Sequence, residues 1–148
     1  MIYLGADHRG FELKSKIFTR LLDEGYDVRD LGNDHLDPDD DYVDFAQKVA
    51  GAVAGGPENK GILFCGSGAG VDIVANKFDG IRSALVFDLQ RAKQAREDDN
   101  ANIISLPADI LDIESAFEIV KIFLETSFSD KEKYQRRLEK LQEIEKTN

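Results

Sequence analysis

The chain has a single cysteine, Cys65, and only two histidines, His8 and His35. A lone thiol cannot close an internal disulfide, so a disulfide scaffold is excluded and a reducing, cytoplasmic setting is expected. Structural zinc needs more nitrogen and sulfur ligands than these residues supply. No metal or organic cofactor is expected. No apolar run approaches the ~20 residues of a membrane span, so no membrane partner is expected either. The opening MIYLGADHRG meets an acid at Asp7, unlike a secretory leader. Positive charge is also scarce. Twenty-nine acids against 19 bases leave a net charge of −10 and a pI near 4.6, the wrong sign for a nucleic-acid partner. Between Asp23 and Asp44 ten acids face one base, Arg29. That stretch reads as a solvated loop.

What remains is a globular mixture, 42% hydrophobic and 32% charged over 148 residues. This is one domain's length and enough to bury a core without staples. Short apolar runs alternate with amphipathic stretches. Strands are expected over 1–6, 26–31, 60–65, 81–86 and 102–106. Helices are expected over 11–23, 42–54, 71–77, 89–97, 112–126 and 131–146. The run GILFC (Gly61–Cys65) is apolar throughout, as a parallel strand covered on both faces must be. The alternation predicts an α/β sandwich with a mostly parallel five-stranded sheet, whose ligands bind beyond the carboxyl ends of the strands.

Those ends hold the residues of chemical interest. Cys65-Gly66-Ser67-Gly68-Ala69-Gly70 joins a buried strand to a helix. The turn is either a tight connection or a cradle whose free N–H groups face an anion. Cys65 is either a small buried hydrophobe or a thiolate base favoured by the helix start. Asp7-His8 ends the first strand. The histidine either bonds a loop or holds substrate oxygens, with Asp7 to orient it. His35 reads as a surface residue. Lys77 suits a helix C-terminus, and Lys133, Arg136 and Arg137 read as a solvated helix face.

Together these segments resemble the ribose-5-phosphate isomerase type B and galactose-6-phosphate isomerase family. The resemblance runs from Met1 to about Ile144. It is carried by GADHRGFELK (Gly5–Lys14), DYVDFA (Asp41–Ala46), GILFCGSGAG (Gly61–Gly70), ANKFDGIRSAL (Ala75–Leu85) and NAN (Asn100–Asn102). It implies a Rossmann-like three-layer α/β/α sandwich and a homodimer or dimer of dimers, with the active site between subunits. It implies metal-free aldose–ketose isomerisation of a sugar phosphate through a cis-enediolate. Cys65 would be the base, Ser67, Gly68, Ala69 and Gly70 the oxyanion amides beside Gly66, and Asp7 and His8 substrate contacts. The segment 129–148 would be a helix reaching the partner and offering Lys133 and Arg137 to the phosphate.

The chain also departs from that pattern. Where the family has a His-Asn pair, assigned to ring opening, it has Asp98-Asp99. By position Asp98 would be the proton shuttle and Asp99 a substrate contact. Where the family has an arginine after the fifth strand, it has Asp109. The Gly-Gly-Arg-His segment before the last helix has become Ser129–Tyr134, so KYQRRL stands where the family has RHxxRV. Three readings stay open on sequence. One is an isomerase with an altered substrate, since an open-chain tetrose phosphate needs no ring-opening acid. Another is one half of a hetero-oligomer. The third is a non-catalytic sugar-phosphate binder. Asp72, Asp98 and Asp99 also have the ligand type for a metal, though the family reaction needs none.

Overall fold

The computed structural model describes residues 1–148. The elements are β1 (Ile2–Ala6), α1 (Phe11–Asp23), β2 (Val28–Asp30), α2 (Tyr42–Ala54), β3 (Lys60–Cys65), α3 (Ala69–Ala75), β4 (Ser83–Leu85), α4 (Leu89–Glu97), β5 (Ile103–Pro107), α5 (Ile113–Glu125) and α6 (Glu132–Thr147). The five strands form one sheet in the order β2-β1-β3-β5-β4, and every pairing is parallel. The chain winds one way from β1 to β2 and the other way from β3. The order therefore reverses between β1 and β3, where doubly wound sheets open a crevice.

Strand alternation sorts the core into two layers. From β3, Ile62 and Phe64 pack with α1, α4 and α5, against Leu13, Ile17, Ala92, Ile119 and Phe123. Leu63 and Cys65 face the other way, into α2 and α3, against Val49, Val53, Val71 and Ala75. This is the three-layer α/β/α sandwich, and it turns the Cys65 side chain toward α3. Three helices begin at aspartate caps: Asp41 accepts from Val43 N–H, Asp88 from Arg91 N–H and Asp112 from Ser115 N–H.

Helix α6 buries none of its residues. Its approach is tied down where the Ser129 N–H and Oγ both donate to the Glu97 carbonyl, at 3.1 and 2.7 Å. Near its far end the Gly80 N–H donates to Glu145 Oε1 at 3.0 Å. Leu141 and Ile144 line a cleft of about 390 Å³ with Ile81, Ala84 and Ala101, beside edge strand β4. No helix is long and apolar enough to cross a membrane.

The acidic stretch is not all solvated, which corrects the sequence reading. Lys14 on α1 is fully buried, and its ammonium lies 2.6 Å from both Asp30 carboxylate oxygens and from the Asn33 carbonyl. Asn33 is buried and donates from Nδ2 to Asp40 Oδ2 at 2.8 Å. A charge is held inside a protein only with such partners. Asp34 and His35 do face solvent, as a pair. Replacing Lys14 by Met leaves Asp30 and the Asn33 carbonyl without their cation. Urea unfolding should register a loss of about 3 kcal/mol; an unchanged midpoint would mean the loop holds itself.

Candidate active site

The site is built where β1, β3 and β5 end side by side. Ala6 stands opposite Phe64, and Cys65 opposite Pro107. Cys65 is 4% exposed. Its Sγ accepts the Gly68 N–H at 3.1 Å, inside the turn it begins. Gly68 has φ +77°, and a Cβ there would stand 2.5 Å from Leu85 Cδ1. Glycine is therefore required on both counts. Ser67 Oγ accepts the Ala69 N–H at 3.2 Å. Of the four amides from Ser67 to Gly70, two are thus engaged within the loop. The N–H groups of Ser67 and Gly70 have no partner in the chain. In this structure the sulfur and the hydroxyl hold the Gly68 and Ala69 donors, so two of the four expected cradle amides are free.

Asp7 is buried, and its Oδ1 accepts the N–H groups of Arg9 and Gly10, both at 3.0 Å. It closes the turn out of β1. It does not orient His8, which the sequence reading had allowed. That role falls to Asp40, whose Oδ1 accepts the His8 N–H at 2.9 Å and lies 2.8 Å from His8 Nδ1. The Asp40 side chain is only 7% exposed. Its hydrogen bond raises the His8 pKa above the usual histidine value, reinforced by the charge of Asp7 and opposed by desolvation and Arg9. Bonding at Nδ1 leaves Nε2 directed away from Asp40.

Three residues to which the sequence reading assigned no role stand at the same edge. Asp40 anchors His8. The Tyr42 ring packs on Gly70, where a Cβ would come within 2.9 Å of it. The guanidinium of Arg9 lies over Gly66, where a Cβ would be 2.3 Å from Cζ, and Arg9 Nη2 pairs with Asp109. Arg9 adjoins the Asp7-His8 strand end, which was the signal available for it.

The remaining candidates lie elsewhere. Asp98 caps the C-terminal end of α4, and Asp99 follows it, before β5 begins. Helices run back across the sheet, so this is the amino edge of the strands. Cys65 is at the carboxyl edge, roughly 15 Å away along the strand direction. Lys133 and Arg137 are on α6, which is tied beside Glu97. Partial desolvation, with the Asp98 charge, raises the Asp99 pKa, and Arg137 is close enough to oppose them. One chain thus holds Cys65, Ser67, Asp7 and His8 in one group and Asp98, Asp99 and Arg137 in another. Asp72 joins neither, since it accepts the Ser83 hydroxyl at 2.6 Å. No three His, Cys, Asp or Glu side chains converge on a point that could hold a metal ion.

Several hallmark residues prove to be clamps. Asn76 brackets Ser83, accepting its N–H and donating to its carbonyl, at 2.9 and 3.0 Å. Asn102 accepts the Arg82 N–H and donates to the Gly80 carbonyl, at 2.9 and 2.8 Å. The Arg82 guanidinium binds the Asn100 carbonyl. The largest cleft, about 710 Å³, lies between α1, α4 and α5 with Arg20 and Glu114 on its rim. It contains none of the chemistry, so volume alone does not locate the site.

Residues 2–141 match the family model described as Ribose/Galactose Isomerase. The chain is 40% identical over 147 residues to ribose-5-phosphate isomerase B of Mycobacterium tuberculosis, covering 99% of this chain and 91% of that protein. It is 36% identical to the Escherichia coli ribose-5-phosphate isomerase B, covering 97% and 95%. The Mycoplasma genitalium ribose-5-phosphate isomerase B, solved with bound ribulose-5-phosphate, superposes with a TM-score of 0.95 at 37% identity, covering 99% and 97%. With the cysteine turn, the Asp7-His8 strand end and the sheet order all in place, the chain belongs to the ribose/galactose isomerase family.

Proposed function

We propose that the chain interconverts the aldose and ketose forms of a phosphorylated sugar, with ribose 5-phosphate and ribulose 5-phosphate as the first pair to test. One observation carries the reading. A cysteine sulfur faces a glycine turn with free amides at the carboxyl end of the sheet's middle strand, flanked by Asp7 and His8. The ribulose-5-phosphate bound to the Mycoplasma genitalium relative supports the substrate class. The single free thiol favours a cytoplasmic setting.

The chemistry follows from the geometry. Cys65 as thiolate removes the proton from C2 of the open-chain aldose. The C–H electrons form the C1=C2 bond, and the carbonyl pair moves onto O1, giving a cis-enediolate. Oriented donors stabilise that charge, and the Ser67 and Gly70 amides are placed to supply them. Cys65 then returns its proton to C1. The O2 proton passes to O1, leaving the ketone at C2 and the thiolate restored. The two carbon positions share one base, so no second carbon acid catalyst is needed. His8, whose protonated form Asp40 favours, is placed to contact substrate oxygens or the phosphate.

Ring opening and much of the phosphate charge need groups that this edge of one chain lacks. We infer that a second copy presents Asp98, Asp99, Lys133 and Arg137 across the mouth, with segment 129–148 extending toward it. A homodimer or dimer of dimers follows from this reading. The exposed face of α6 is available for that contact.

Three measurements test these assignments. The Cys65→Ala variant should lose roughly 10²–10⁴-fold in deuterium incorporation at C2 of ribose 5-phosphate, read by proton NMR; wild-type exchange in that variant would remove Cys65 as base. In the Asp40→Asn variant the His8 ring should titrate at lower pH than in the parent, because the bond that raises its pKa is weakened. Since the charged imidazolium is the form that attracts phosphate, the rise of KM with pH should also begin earlier. A His8 titration that does not move would assign the shift to another group. Finally, inactive Cys65→Ala chains mixed with inactive Arg137→Ala chains should regain roughly a quarter of parental activity if sites are shared between two copies. No recovery after subunit exchange would place each site within one chain.

A further inference from the structure

We propose that Arg9 supplies the guanidinium that grips the substrate's phosphate from the same subunit as Cys65, with Asp109 as its orienting carboxylate. The inference rests on the isomerase reading above and adds a specificity residue to it.

Four observations carry it. Arg9 directly follows His8 on the turn out of β1, at the carboxyl edge. Its guanidinium lies flat on the Gly66 Cα, one residue beyond Cys65; a Cβ there would be 2.3 Å from Cζ, 2.4 Å from Nε and 2.7 Å from Nη1. Asp109 holds it from the far side through Nη2. Asp109 is itself fixed, because its N–H donates to the Gly66 carbonyl at 3.0 Å while the Ala108 N–H donates to the Cys65 carbonyl at 2.9 Å. The backbone segments that carry the carboxylate and the base are therefore bonded together, and the Arg9 guanidinium reaches across both.

The chemistry suits an anion. A guanidinium has five N–H donors. Asp109 engages Nη2 only, and Nε and Nη1 have no partner in the chain. The Arg9 side chain is 55% exposed, so these donors are open to solvent rather than buried in the core. Among the residues that immediately follow β1 and β3, Arg9 alone carries a permanent positive charge. The family arginine at position 109 is absent here, and the carboxylate that replaces it is neutralised by Arg9. The pair thus reverses the charges across the loop and leaves guanidinium donors free for an anion.

The test compares the parent chain with Arg9→Ala, Arg9→Lys and the swap Arg9→Ala/Asp109→Arg. Isomerisation kinetics and calorimetric binding of ribose 5-phosphate are both read, with thermal unfolding as the fold control. Arg9→Ala should raise KM and Kd roughly 10–100-fold with a smaller change in kcat. Arg9→Lys should recover part of the loss, since charge returns without the fork. The swap should recover more than Arg9→Ala, by presenting a guanidinium from position 109. Unchanged KM and Kd in a folded Arg9→Ala chain would overturn the proposal and make the pair a strap between loops. That result would leave the isomerase reading intact, provided the parent turns over and Cys65→Ala does not. If the parent binds ribose 5-phosphate without turnover, the isomerase reading fails and the Kd comparison alone decides Arg9. If the parent neither binds nor converts it, both fail.

Discussion

A side chain at Gly10 would have its Cβ 2.6 Å from Phe64 Cβ and 2.7 Å from the Phe64 carbonyl oxygen. Only glycine allows the turn after β1 to press so closely on the end of β3. The rest of the carboxyl edge depends on that approach. It brings the Asp7 N–H to the Phe64 carbonyl and lets the Asp7 carboxylate close the turn on the next two amides. His8 then points toward the acidic loop and Arg9 toward the cysteine turn. Gly66 completes the arrangement, because its bare Cα gives the Arg9 guanidinium a surface to lie on.

The second support is a relay of polar contacts under the acidic loop. Asp30 and the Asn33 carbonyl hold Lys14, Asn33 holds Asp40, and Asp40 holds His8. Burying an ammonium is costly, and acceptors at 2.6 Å offset that cost. The relay also selects one loop conformation. A loop carrying Asp34, Asp37, Asp39, Asp40 and Asp41 repels itself in water, and a single buried cation at its base decides which carboxylate turns inward. His8 is thereby linked, through Asp40 and Asn33, to a lysine on a helix behind it.

Much of this was legible in the chain, and the gaps have physical causes. The spans of α1, α2, β3 and α4 agree with the expected ones because apolar spacing and flanking glycines or caps mark both ends. The edge strands β2 and β4 came out shorter than expected. Tyr26 donates back to the Leu21 carbonyl at the end of α1 instead of joining β2. The core and the cysteine turn could be read because they depend on local pattern. Asp40 could not be told from its neighbours, since composition does not say which carboxylate finds a partner 32 residues earlier. Arg9 was hidden for the same reason: its place is set by Gly66 and Asp109, far along the chain. Asn76, Arg82 and Asn102 were visible as motif residues, but only coordinates show them clamping the turn before β4.

The sheet itself separates what this chain keeps from what it has changed. The sulfur, its glycine turn and Asp7-His8 occupy the carboxyl edge, where the proton must leave and re-enter carbon. Asp98 and Asp99, which depart from the family pattern, occupy the amino edge, about the length of a strand away. No hydrogen bond or ion pair joins a side chain of one group to a side chain of the other. Residues at one edge can therefore change without disturbing the placement of the base, and a change of acid or of phosphate-side cation need not cost the enediolate chemistry. Asp109 is the exception, because it sits on the carboxyl edge and is bonded to Gly66. A carboxylate introduced there alone would set an unpaired negative charge beside the cysteine turn. Its tolerance requires a cation within reach, and Arg9 is the one that the turn after β1 delivers to it.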